Sequence, residues 1–274
     1  MPREIGKRLV EWGHYIVLGI RLGALAATPR SRLALAYLGA TTILQPYRFW
    51  RGRPVRIDVM LGGRRYPVRL QTRTELDVLG EIGLDDEYGL TDGIPARTIV
   101  DLGAHVGLAT LRLLAAHPGA RVVAVEADPA LIPRLRENLA GLPVEIVHAA
   151  ISREVGERDF YRSDISSWGN SLERTLHFQS AVKVPTTTLD ALLDSRGIDR
   201  VDLLKVDVEG AEWDLFADGP PERAVAIVGE VHARGGRAPR ELIDRLERAM
   251  PVRLVSDDPW GATFVAGPGI ARSD

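Results

Sequence analysis

From Thr98 to Ala266 the chain alternates short apolar runs with helical stretches, and this rhythm constrains its fold more than any other feature. Strands are predicted at Thr98–Leu102, Arg121–Glu126, Val144–Ala149, Val201–Asp207 and Ala224–Val231. Helices are predicted at Leu108–Ala116, Pro129–Leu139 and Leu189–Ser195, from Glu209 onward, and at Arg240–Met250. Near-continuous Val, Leu and Ile in the strands means burial on both faces, as in a parallel sheet covered by helices. Residues 157–187 break the rhythm with two strands flanking a polar loop, Ser163 to Ser171. Val252–Ser256 and Ala262–Ala266 fit an antiparallel hairpin at the sheet edge. The expected architecture is α/β: a Rossmann-like, doubly wound, mostly parallel sheet with an antiparallel C-terminal edge strand.

The front of the chain reads differently. Residues 1–45 fit two helical segments broken near Thr28-Pro29, because proline disfavours helical geometry in the residue before it. Residues 54–60 and 65–71 alternate apolar and polar around Gly62-Gly63, a β-hairpin pattern. Residues 74–90 form a helix and loop. A helical and hairpin extension over 1–73 and a main domain over 74–274 are therefore expected. Residues 1–74 carry 14 Lys+Arg against 3 Asp+Glu, and the remainder 21 against 34. A basic, apolar arm on an acidic body suits contact with its own body, a second subunit in a homodimer, or peripherally an anionic membrane surface. The longest charge-free stretch, Leu33 to Tyr47, is too short to span a bilayer. No signal-peptide order appears, so a cytoplasmic location is expected. With no cysteine, thiolate nucleophiles, disulfides and cysteine-ligated metals are excluded.

Two motifs point to a nucleoside. Val100-Asp101-Leu102-Gly103-Ala104-His105-Val106-Gly107 ends one strand and opens a helix. Glycine there lets backbone approach a ligand closely, although a plain strand-to-helix turn has the same pattern. The next strand ends in Glu126, where a carboxylate is placed to accept both hydroxyls of a ribose. The spacing D-x-G-x-x-x-G lacks the middle glycine that a pyrophosphate requires. It favours S-adenosylmethionine (SAM) over NAD, and the absence of a Tyr-x-x-x-Lys pair also disfavours an NAD-dependent oxidoreductase.

A third motif runs from Leu203 to Glu212. Lys205, Asp207 and Glu209 alternate along a strand and so share a face, at the strand end where α/β sheets place ligands. Burying three ionisable groups is costly unless they pair or face a cleft. They form either a functional cluster or a Lys–Asp pair that fixes the sheet end. His232 ends the following strand, where a neutral imidazole would serve as general base; a structural hydrogen bond fits its position equally well. No His/Asp/Glu set has metal-ligand spacing, so metal-independent chemistry is expected.

The string Leu-Lys-Val-Asp-Val-Glu-Gly-Ala-Glu (204–212), with Val-Asp-Leu-Gly-Ala (100–104) upstream, resembles the FkbM family of SAM-dependent methyltransferases. Thr187-Thr188-Leu189-Asp190 and Glu81 to Tyr88 are similar to its shorter landmarks. The resemblance covers residues 74–232 and implies a class I methyltransferase fold. It also implies methyl transfer to a hydroxyl of a small-molecule acceptor, a sugar or secondary metabolite. Carried over by position, Asp101, Gly103 and Gly107 hold the methionine part of SAM and Glu126 the ribose, with Ala104 and Ala127 beside them. Glu81 and Tyr88 close over the cofactor, and Asp207 and Glu209 lie beside the reacting methyl. Two departures are His105, where asparagine is common in the family, and Ala127, where proline is. A non-catalytic partner subunit retaining the fold is the other reading. Nucleic-acid methylation is disfavoured, because no Asn/Asp-Pro-Pro-aromatic motif is present.

Overall fold

Alternation of apolar runs and helices does build a single central sheet. The computed structural model describes residues 13–41, 54–85, 93–163, 171–172 and 178–271. It divides into two units, Met1–Asp86 and Glu87–Asp274.

In the first unit, residues 13–22 form helix α1, a single 3-10 turn follows at Gly23–Leu25, and α2 spans Pro29–Thr41. The expected break falls at Thr28-Pro29. Thr28 Oγ1 accepts from the Ser31 amide at 3.1 Å, and proline sits where its missing N–H costs nothing. Strands β1 (Val55–Leu61) and β2 (Arg64–Leu70) pair antiparallel across Gly62 and Gly63, both at positive φ. Their inward residues Ile57, Val59, Leu61, Tyr66, Val68 and Leu70 are buried. Helix α3 (Arg73–Gly83) starts at a capping box between Thr72 and Glu75 and buries Leu76, Leu79 and Ile82. Helix α3 groups with this unit. Among the described residues no helix is long and apolar enough to cross a membrane.

The second unit carries β3 (Thr98–Leu102), α4 (Leu108–Ala116), β4 (Arg121–Glu126), α5 (Ile132–Asn138), β5 (Val144–His148) and β6 (Ala150–Ile151). There follow β7 (Gly156–Ser163), β8 (Phe178–Thr187), α6 (Leu189–Asp194), β9 (Val201–Val206), α7 (Glu212–Leu215), β10 (Ala224–His232), α8 (Pro239–Glu247), β11 (Val252–Asp257) and β12 (Gly261–Ala266). The main sheet has seven strands in the order β11-β12-β10-β9-β3-β4-β5. Strands β5, β4, β3, β9 and β10 are parallel neighbours, and β12 is antiparallel to both β10 and β11. The antiparallel strand is thus second from the edge, with β11 outermost. Strands β6, β7 and β8 build a separate three-stranded sheet in the order β6-β8-β7, which accounts for the break in the rhythm.

Alternating side chains divide the core between the two sheet faces. Val100, Leu102, Val123, Val125, Leu204 and Val206 pack with α6, α8, Trp213 and Phe216 on one face. Ile99, Val122, Leu203, Ala226 and Val228 pack with Leu113 and Leu114 of α4 on the other. From β3 the chain winds outward through β4 and β5, then returns to place β9 and β10 on β3's other side. The switch between β3 and β9 opens a crevice at their carboxyl ends, where open α/β sheets bind ligands.

Candidate active site

Asp101, Lys205, Glu126, Asp207, Glu209 and His232 sit on or just beyond the carboxyl ends of β3, β4, β9 and β10. Asp101 and Lys205 are register partners across β3 and β9, and both are almost wholly buried. Lys205 Nζ lies 3.2 Å from Asp101 Oδ1 and 3.5 Å from Asp207 Oδ2, and donates to the Gly103 carbonyl at 2.7 Å and the Leu102 carbonyl at 3.3 Å. Asp101 also accepts from Thr110 Oγ1 at 2.6 Å. Burial alone would depress the lysine; Asp101 and Asp207 outweigh it and keep the ammonium charged. The Lys–Asp pair therefore braces the glycine turn through the Gly103 carbonyl.

The turn itself requires glycine. Gly103 has φ +83°, and a Cβ there would collide with the Asp207 carbonyl. The Gly103 and Ala104 amides both donate to the Val125 carbonyl, at 3.0 and 2.9 Å. Gly107, at φ +90°, starts α4 and packs on Leu135 and Leu139. His105 occupies φ +53°, a left-handed geometry that Asn and His tolerate better than most residues. Burial lowers its imidazole to about 4, so it is neutral and belongs to the turn.

Glu126 ends β4 with 7% of its surface exposed. Its Oε2 accepts from the His105 amide and its Oε1 from the Asp128 amide, both at 2.7 Å. Burial pushes the carboxyl up to about 7, against the pull of those two N–H groups. Each oxygen keeps lone-pair capacity, and the carboxylate stands across from the Gly103 turn, so the cradle fits a nucleoside with a free ribose diol. Ala127 follows it half-buried, its carbonyl 3.1 Å from His148 Nε2.

Beyond β9 the chain reverses instead of starting the expected helix at Glu209. Glu209 has φ +52° and Gly210 φ +98°, which delays α7 to Glu212. Ser171 Oγ donates to the Glu209 carbonyl at 2.9 Å and Arg234 to the Gly210 carbonyl at 3.1 Å, pinning the turn. Glu212 is fully buried and was not singled out by motif reading. Its Oε1 accepts from the Val208 amide at 3.0 Å and its Oε2 from the Gly210 amide at 2.8 Å. Oε1 also lies 3.1 Å from His232 Nδ1. His232 Nε2 lies 3.6 Å from Glu209 Oε2 and 3.5 Å from Glu230 Oε2.

Asp207, Glu209 and His232 thus converge, one ligand-type atom from each lying within 4.8 Å of the others. Burial would depress His232, but Glu212 and Glu209 outweigh it and hold the imidazole well above its usual range. It was expected neutral; carboxylates on both ring nitrogens favour imidazolium instead. Burial and the neighbouring carboxylates lift Glu209 well above the ordinary range, against the pull of His232. Burial would also raise Asp207, but Lys205 and His232 hold it low and ionised. Of the remaining sequence expectations, Glu81 lies in α3 of the first unit and Tyr88 lies outside the described residues.

Comparison with known proteins matches residues 101–251 to the methyltransferase FkbM domain. The 2-O-methyltransferase NoeI of Sinorhizobium fredii is 31% identical over 141 residues, covering 46% of this chain and 58% of NoeI. The AMB antimetabolite synthetase AmbE of Pseudomonas aeruginosa is 31% identical over 211 residues, 59% of this chain and 10% of AmbE. The chain therefore spans less than two thirds of either relative. Among solved structures, the N-terminal domain of EvdMO1 with S-adenosylhomocysteine (SAH) bound aligns at TM-score 0.43 and 16% identity, over 74% of this chain and 86% of that one. A precorrin-6y C5,15-methyltransferase from Geobacter metallireducens aligns at TM-score 0.42 and 12% identity, over 69% and 87%. With the glycine turn, Glu126 and the 203–212 string all inside the matched span, the chain belongs to the FkbM family of SAM-dependent methyltransferases.

Proposed function

We propose that this chain is an O-methyltransferase that moves the methyl group of SAM to a hydroxyl of a small-molecule acceptor, a sugar or secondary metabolite. The observation that carries the oxygen assignment is the convergence of Asp207, Glu209 and His232 beside the Gly103 turn. Carboxylates and an imidazole suit an acceptor that must be oriented and relieved of a proton. The 2-O-methyltransferase name of NoeI supports the same reading.

SAM supplies an electrophilic methyl group on a sulfonium. In this reading Gly103 leaves room for the ligand against the backbone, and Glu126 accepts from the ribose hydroxyls. Asp207, ionised and anchored by Lys205, sets a negative potential beside the sulfonium. The acceptor oxygen attacks in line, the C–O bond forming as the C–S bond breaks and its electron pair returns to sulfur. The hydroxyl proton passes to Asp207, the member of the cluster held ionised, and from there to solvent. Most of the rate gain comes from orientation, because the reaction needs no covalent enzyme intermediate.

The test is methyl transfer from labelled SAM to a panel of hydroxylated sugars and metabolites, with the product site read by NMR. O-methyl products and micromolar SAH binding by calorimetry are expected. Methylation at nitrogen or carbon would remove the oxygen assignment, and failure to bind SAM or SAH would remove the cofactor assignment.

A further inference from the structure

The Asp207, Glu209 and His232 side chains come from three places: the end of β9, the turn after it and the end of β10. Parallel pairing of β9 with β10 holds them together. We propose that these three residues bind a divalent cation of the Mg2+/Mn2+ class, which in turn holds the acceptor oxygen; the assignment rests on the methyl-transfer reading above.

Geometry is the first argument. Oxygen and nitrogen ligands on opposite sides of such an ion lie roughly 4–5 Å apart, since each bond is about 2.0–2.5 Å. The three candidate atoms all fall within 4.8 Å of one another.

His232 is the second. Its Nδ1 is committed to Glu212, a carboxylate with no exposed surface that is itself fixed by two backbone amides. This is how a ligating imidazole is ordinarily oriented, with one nitrogen tied to a carboxylate and the other presented to the ion. Nε2 faces Glu209 at 3.6 Å and Glu230 at 3.5 Å, longer than the roughly 2.7–2.9 Å of a charge-assisted hydrogen bond. Those spacings leave Nε2 without a short hydrogen bond to either carboxylate.

Charge is the third. Asp207, Glu209, Glu212 and Glu230 surround one imidazole, and Lys205 is shared between Asp207 and Asp101. A partly buried site with that excess of carboxylate is stabilised by a cation. A donor set of carboxylates plus one imidazole, without thiolate, selects a hard or borderline ion. Bound there, the ion would act as a Lewis acid on the acceptor hydroxyl, easing loss of its proton. Motif spacing concealed the set because its third member lies on a different strand.

The test is titration of Mn2+ into EDTA-treated full-length chain, with and without saturating SAH, reading bound metal by electron paramagnetic resonance. One Mn2+ per chain, displaced by Mg2+, is expected. Glu209→Gln and His232→Gln should each weaken it by about tenfold or more, and Glu212→Gln by about 10–100-fold. Circular dichroism and a cooperative urea transition report that the Glu209 and His232 variants fold. In the wild type, Mn2+ should broaden the His232 imidazole resonances, a readout that needs no variant. Absence of Mn2+ binding at low-millimolar concentration, or binding unaffected by both ligand variants, overturns the proposal; the imidazolium bridging Glu209 and Glu230 then explains the cluster. Failure of SAH to bind would overturn the cofactor reading alone, since the isotherm without SAH still decides the metal.

Discussion

His232 Nδ1 lies 3.1 Å from Glu212 Oε1, so one buried carboxylate joins the end of β10 to the turn after β9. The same carboxylate receives the Val208 and Gly210 amides. Glu212→Ala would leave two amides and an imidazole without their buried acceptor. A loss of about 3–5 kcal/mol is expected, which denaturant unfolding would measure. Glu212→Gln retains an acceptor and should lose less stability, yet reorient His232 and lower methyl transfer by one to two orders of magnitude (about 1.4–2.8 kcal/mol of barrier). Equal turnover in both proteins would show that His232 does not depend on this contact.

Gly103→Ala tests the cradle. At φ +83° any side chain is strained, and here the Cβ also meets the Asp207 carbonyl. Backbone must move at the junction of β3 and β9, so SAH binding should fall by at least about a hundredfold (roughly 2.7 kcal/mol). Calorimetry would show it.

Lys205→Met leaves Asp101 and Asp207 facing each other without a cation in a buried site. Loss of one partner of a buried ion pair costs about 3–5 kcal/mol, so the variant should unfold at clearly lower denaturant concentration. Adding Asp101→Leu should recover part of the loss, because the uncompensated carboxylate goes with it. If the double variant is as unstable as the sum of the singles, the pair is not the reason for Lys205's burial.

Much of this was readable in the chain. The strand ends at Leu102 and Glu126 follow directly from apolar runs bounded by Gly and acidic residues, the third, expected at Asp207, falls one residue earlier at Val206, and the FkbM resemblance rests on those same segments. Three features were not readable. Glu209 looked like the first residue of a helix, yet the left-handed conformation of Glu209 and Gly210 makes a turn held by Ser171 and Arg234. The partners of Asp101, Thr110 and Lys205, come from α4 and β9, and only register across β3 and β9 reveals the second. His232 was read as neutral because Glu212 and Glu230 reach its ring only in the folded chain. Local pattern reports the period of an element; the charge state of a side chain depends on contacts from other strands.

Asp77 offers a check within the first unit. Burial raises its carboxyl to about 6, even though Tyr15 donates to it at 3.2 Å. A folded-state value above the unfolded one means the folded chain binds the proton more tightly, so stability falls as pH rises from about 4 to 6. Asp77→Asn keeps an acceptor for Tyr15 and removes the charge. The variant should match the wild type near pH 4 and exceed it by about 1–3 kcal/mol at pH 8, in urea unfolding of the full chain.

Glu126 supplies the pH signature of the cofactor site. Burial raises its carboxyl to about 7 in the ligand-free chain, above an unfolded value near 4.5. The folded state therefore holds a proton there between those values, and ligand-free stability falls as pH rises across that window. Ribose hydroxyls donate to the ionised carboxylate, so nucleoside binding has the opposite preference and expels the proton. SAH affinity should rise about tenfold per pH unit below 7 and level off above it. Calorimetry at pH 6 in two buffers of different ionisation enthalpy should register close to one proton released per SAH bound. Glu126→Gln, which cannot ionise, should bind more weakly at pH 8 and lose the slope. A slope that persists in that variant would place the titrating group elsewhere and remove Glu126 from the ribose contact.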